Sequence, residues 1–118
     1  MKPLLIVITL LFNYPVFAWD NIDTSLFIAS NGLLLIDCGQ TLDMQRINYD
    51  GVHETNAILG RHPTKTDIYG YISGVIVINS IAAATLPKNY RRAIMLGIIA
   101  TEITFVINNH KLGLRVNF

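Results

Sequence analysis

Charge is what this chain has least of. Asp, Glu, Lys and Arg make up 14% of its 118 residues, where a soluble domain carries about 25%. A soluble chain of this length buries only about two-thirds of its unfolded surface. The 52% hydrophobic fraction would therefore leave broad apolar areas facing water. The formal net charge of +1 comes without a basic run or stripe, which argues against a nucleic-acid partner. Cysteine is nearly missing: Cys38 stands alone, so no intrachain disulfide can form and the redox compartment is unreadable. CxxC, HExxH, P-loop, dinucleotide-fingerprint and nucleophile-elbow patterns are all absent. The familiar metal, nucleotide and hydrolase chemistries thus have no foothold, and nothing names a cofactor. Internal repeats and low-complexity stretches are missing too.

What is present is apolar sequence in helix-length blocks, with a mean hydropathy of +0.44. The first block, residues 1–18, has Lys2 as a positive n-region and Leu4 to Phe12 as an apolar core. Pro15 breaks it before a small-residue site ending at Ala18. This is the pattern of a signal peptide and is short for a span. Residues 19–118 then form a single all-α membrane domain. Its expected helices run over about 25–46, 68–86 and 93–107, a bundle of three after cleavage or four if the first block is retained. Asp23, Thr24 or Ser25 can cap the first helix. The long segment 48–67 reads as a polar loop, Pro87 stops the second helix, and Lys88 to Arg92 read as a turn. The third helix is short for a span, and residues 108–118 read as a polar tail. If the third helix failed to span, a soluble secreted helical domain would be the remaining reading.

A cleaved signal leaves the mature N-terminus outside and puts the loop and tail inside. The inner side then holds Arg46, Arg61, Lys65, Lys111 and Arg115, against Lys88, Arg91 and Arg92 outside. That agrees with the positive-inside rule by a narrow margin, and the expected location is a bacterial inner (cytoplasmic) membrane.

Against this apolar background the polar residues carry the information. Asp37 falls near the middle of the first expected span, where a carboxylate costs about 2.5–3.5 kcal/mol and normally faces a partner in the bundle interior. Glu102 raises the same question in the third helix. Ser30, Asp37, Thr41 and Met44 share one helical stripe, with Gln40 beside it. Met95, Glu102, Phe105 and Asn109 recur at helical spacing, with Thr101 and Asn108 as a neighbouring polar line. The two carboxylates can share a proton, bind a cation or pair with an Arg. They can also be protonated and hydrogen-bonded to Thr41, Gln40, Thr101 or Asn79, fixing helix register. Gly70 and Gly74 form a GxxxG that lets helix backbones approach closely, although the pattern is common in apolar helices. In the loop, His53, Glu54 and His62 are competent metal ligands, but their spacing matches no recognised metal site, so no metal is assigned. Gly60 and Pro63 read as turn punctuation, and Asn56 as a residue that bonds its own backbone in a turn.

One resemblance adds to these readings. Asp37 with Gln40 and Thr41, then Glu54-x-Asn56-x-Ile58-Leu59-Gly60-x-His62-Pro63, then Tyr69, Tyr71, Glu102 and Asn108, resemble a family of small uncharacterised bacterial and phage-associated membrane proteins. Its motifs are D-x-x-Q-T and E-x-N-P-hydrophobic-L-G-x-H-P, and the likeness covers about Trp19 to Phe118. Ala57 departs from the motif's proline, which leaves the turn after Asn56 less rigid. The resemblance implies that Asp37, Gln40, Glu54, Asn56, Gly60 and Glu102 are the positions to watch, and it implies no activity. Two expectations stand side by side. One is a membrane protein acting by helix association with itself or a larger membrane complex. The other is an intramembrane enzyme or ion-handling protein using Asp37 and Glu102, with Glu54 and His62 at the membrane face.

Overall fold

The computed structural model describes residues 19–47 and 58–118. The signal-like segment and the loop residues His53, Glu54 and Asn56 lie outside the described residues. The described chain forms three helices, α1 (Asn21–Asp43), α2 (Lys65–Thr85) and α3 (Lys88–Lys111), with no strand among the described residues. All three are long and apolar enough to cross a membrane. The all-α bundle expected from the sequence is therefore what the chain adopts.

Helix boundaries differ from expectation, and caps explain how. Asp20, not a residue in 23–25, starts α1: its carboxylate accepts from the amides of Ile22 and Asp23, while the Asp23 side chain returns a bond to the Asp20 amide. α2 begins three residues early because Thr64 and Asp67 form the same reciprocal box. The largest correction is in α3. Lys88 to Arg92 are its first turn rather than a linker, so α3 spans 24 residues instead of the short helix expected. Leu86, extended because a proline follows, and Pro87, with the φ that starts a helix, make the whole α2–α3 connection.

α1 packs chiefly against α3 and less against α2. Leu34, Cys38 and Leu42 of α1 meet Ile68 and Ile72 of α2, with Tyr71, Val75, Ile76 and Ile98 packed around them. The outside is apolar: Ile28, Leu35, Ile78, Ile81, Leu96, Ile103 and Ile107 are exposed. Asp23, Ser30, Gln40, Thr41, Asp43, Asn79, Arg91 and Glu102 are buried. This distribution suits lipid, where apolar side chains gain little by meeting each other and polar contacts between helices contribute more to association.

Two polar locks close the ends of the bundle. At the end shared by the α1 and α3 N-termini, Arg91 Nη2 donates to Asp23 Oδ2 at 2.7 Å and Arg92 Nε to Asp23 Oδ1 at 2.9 Å. Arg92 also donates to both Asp20 oxygens at 2.8 Å, and Lys88 lies 3.0 Å from Asp20. The Arg91 guanidinium sits over the Trp19 ring, 5.6 Å from its centroid. Cations in the first turn of α3 oppose that helix's dipole, and the α1 carboxylates offset this. At the other end Asp43 accepts two bonds from Arg46, one from the Arg115 amide and one from the Asn117 side chain. Twenty residues separate Asp23 from Asp43, about 30 Å of helix, which is the thickness of a bilayer's hydrocarbon core.

The tail is more than a polar end. Gly113, at φ +81°, terminates α3 in the left-handed conformation that a side chain would strain. Beyond it residues 114–118 cross the end of α1. Leu114 is buried against Met44, with Ile47 beside them, and the Asn117 amide donates to Gly39 O at 3.0 Å. A Cβ on Gly39 would lie 2.6 Å from Val116 and 3.1 Å from Phe118, so only glycine leaves room for this strap.

Candidate functional site: a polar cavity between the helices

A cavity of about 140 Å³ lies between the helices toward the strap end. α1 contributes Asp37, Cys38, Thr41 and Met44; α3 contributes Glu102, Phe105, Asn108 and Asn109. Ile68, Tyr71 and Ile72 of α2 form the apolar wall, with Leu59 and Leu112 at the rim. Asp37, Thr41 and Met44 reach it together because spacings of four and three return to one helix face. Glu102 and Asn109 do the same from α3. Asn109 Nδ2 donates to Asp37 Oδ1 at 2.8 Å, a bond between residues 72 positions apart. Asp37, Thr41 and Glu102 make further contacts within the fold. Glu102 is only 8% exposed.

Four of the polar residues singled out from sequence therefore meet in one place: Asp37, Thr41, Glu102 and Asn108. Asn109, first noticed only as part of a packing stripe, is the partner of Asp37 that spacing alone did not identify. Gln40 departs from the group. It points to the α1–α3 seam, where Nε2 donates to Val106 O at 3.3 Å. Its Oε1 is buried without a hydrogen-bond partner among the described residues. Thr101 is exposed. Asp37 also lies six residues before the end of α1, about 9 Å along its axis, rather than at mid-span. The shift follows from the earlier start and end of the helix.

Asn79 belongs to a separate polar node deeper in the bundle, where its amide donates to Ser30 Oγ and Asn31 Oδ1, both at 3.1 Å. The helix-packing glycines, Gly70 and Gly74, touch no other helix among the described residues: a Cβ on either would meet nothing within 4 Å. His62 is exposed, and no group of three or more His, Cys, Asp or Glu side chains that could hold a metal occurs among the described residues. At the opposite lock, outside the helices, the Lys88 ammonium holds the Asp20 carboxyl below its ordinary value. The Asp23 amide and Arg92 act in the same direction, and burial opposes them.

Chemically, the cavity offers two carboxylates, the Thr41 hydroxyl and two side-chain amides, with the Tyr71 phenol also in its lining. These are hard oxygen donors suited to a proton or a hard cation, and the backdrop is apolar. Fold and site together define the class: a helical bundle, with three helices of membrane-spanning length among the described residues and a polar cavity near one end. No protein-family model, curated protein or solved structure matches the chain.

Proposed function

We propose that this is a small integral membrane protein whose cavity, with Asp37 and Glu102 as the working groups, reversibly binds a proton or a small hard cation near one membrane face. The observation that carries the reading is the convergence of these two carboxylates, from helices far apart in sequence, on one cavity with Thr41, Asn108 and Asn109. Carboxylates in a spanning helix are costly and mark ion or proton sites when they face a shared interior. Asn109 orients Asp37, while Thr41 and Asn108 supply neutral oxygens. Leu34, Leu42, Ile68 and Ile72 fill the core around the cavity, so one chain offers a binding site rather than a pore. Passage across the membrane would require an assembly. The proposed location is a bacterial inner membrane, and kinship with the small bacterial and phage-associated membrane family remains part of this proposal.

Thermal unfolding tests the reading, because a ligand that binds only the folded chain raises its melting temperature. Cys38, buried in the cavity wall, makes a thiol-reactive dye a reporter of unfolding. With the chain in neutral detergent, one of Na⁺, K⁺, Mg²⁺, Ca²⁺ or H⁺ should stabilise it selectively, and Asp37→Asn or Glu102→Gln should remove that response. Equal responses in the wild type and both variants would end the proposal.

A second reading, association of α2 with another copy or a larger membrane complex, is favoured by the face at Gly70 and Gly74, which no other described residue covers. Gly74→Ile should then shift the oligomeric state in detergent without changing the melting temperature of the monomer.

A further inference from the structure

The two locked ends of the bundle are electrostatically unlike. At the N-terminal end every cation of the first α3 turn has an acidic partner: Lys88 with Asp20, Arg91 with Asp23, and Arg92 with both. At the strap end Arg46 is taken up by Asp43. Lys111 and Arg115, by contrast, are exposed and have no acidic partner among the described residues. Only the backbone amide of Arg115 is engaged, by Asp43. The same segment, 111–118, also exposes apolar side chains: Leu112 at 54%, Val116 at 50% and Phe118 at 60%.

On the membrane reading, the depth of this patch follows from its anchors. The strap is bonded to Gly39 and Asp43, and Asp43 lies about 30 Å along α1 from the opposite lock. That places the strap at the boundary between hydrocarbon and headgroups. Its non-helical backbone fits there, since such backbone facing lipid is not tolerated deeper. An aromatic and two aliphatic side chains beside two uncompensated cations, held at that depth, match the apolar and anionic halves of a lipid interface. We propose that the strap, through Lys111 and Arg115, binds the headgroups of anionic phospholipids, with Leu112, Val116 and Phe118 seated among the upper acyl carbons. This rests on the membrane reading above and is independent of what the cavity binds.

The test is lipid-adduct formation by the full chain in neutral detergent, read by native mass spectrometry with phosphatidylglycerol or phosphatidylcholine added. Phosphatidylglycerol should bind in preference. Lys111→Gln and Arg115→Gln should each weaken it about fivefold, as expected for one basic side chain at a charged membrane surface. Lys88→Gln, at the paired end, should leave it unchanged. Equal binding of the two lipids, or an equal loss in Lys88→Gln, would overturn the proposal. So would displacement of the lipid by millimolar inorganic phosphate, which would mark a free-anion site instead. A chain that stays monodisperse without detergent would refute the membrane reading itself, before any lipid is added.

Discussion

Asp23 shows how much a single side chain does here. It is fully buried, receives both Arg91 and Arg92 and returns a capping bond to Asp20. Arg91 is 3% exposed, so removing its counter-charge strands a cation in a poorly solvated place. Asp23→Asn should lower stability by about 3–5 kcal/mol, the cost of breaking a buried pair from one side. Replacing Asp23 and Arg91 together by leucine and methionine should recover much of that loss. Melting curves in detergent for the single and double variants would decide it. In the sequence Asp23 was legible only as a helix cap, because an acid at a helix start looks the same whether it binds amides or a distant guanidinium. Asp37 and Glu102 were easier to pick out, since an acid inside a long apolar run has few structural excuses. Asn109 gave no such signal: asparagine at a helix end is common, and only the fold brings it to Asp37.

At the scale of elements, the helices were legible by apolar length, and their ends were not. Lys88 to Arg92 looked like a linker because three cations beside Pro87 resemble a solvated turn. The α1 carboxylates that make them tolerable in a helix lie about 70 positions away. The strap was misread as a loose polar tail for the same reason: its anchors, Gly39 and Asp43, belong to another helix. A direct check is Gly39→Ala. The new Cβ would collide with Val116 and press on Phe118 and the Asn117 amide, so the strap should lift. Hydrogen exchange at the Asn117 amide should quicken by about one hydrogen bond's worth of protection, roughly 1 kcal/mol. The α2 amides should keep their wild-type rates. Unchanged exchange at Asn117 would mean that the strap is held from elsewhere.

At the scale of the whole fold, the three apolar helices of the described residues, capped by polar locks about 30 Å apart, describe an object shaped by a bilayer. A C-terminally tagged chain should remain in the membrane pellet after carbonate washing, with the tag on the same side as residues 58–64. Release into the wash would turn the cavity carboxylates into ordinary groups of a soluble fold. Neither the location of the cavity nor the pairing of the ends was visible in the linear order of residues, because α1 finds its main neighbour in α3 rather than in α2, the next helix along the chain.

That topology has a consequence in time. The chain is made from its N-terminus, and Asp23 is separated from Arg91 by 68 residues, so at about 5–20 residues per second its counter-charge arrives roughly 3–14 seconds later. Asp43 waits a comparable interval for the strap, 74 residues separating it from Asn117. During biogenesis α1 therefore carries an unanswered acid at its start, while Asp43 at its other end has Arg46 alone, until α3 and the strap close around it.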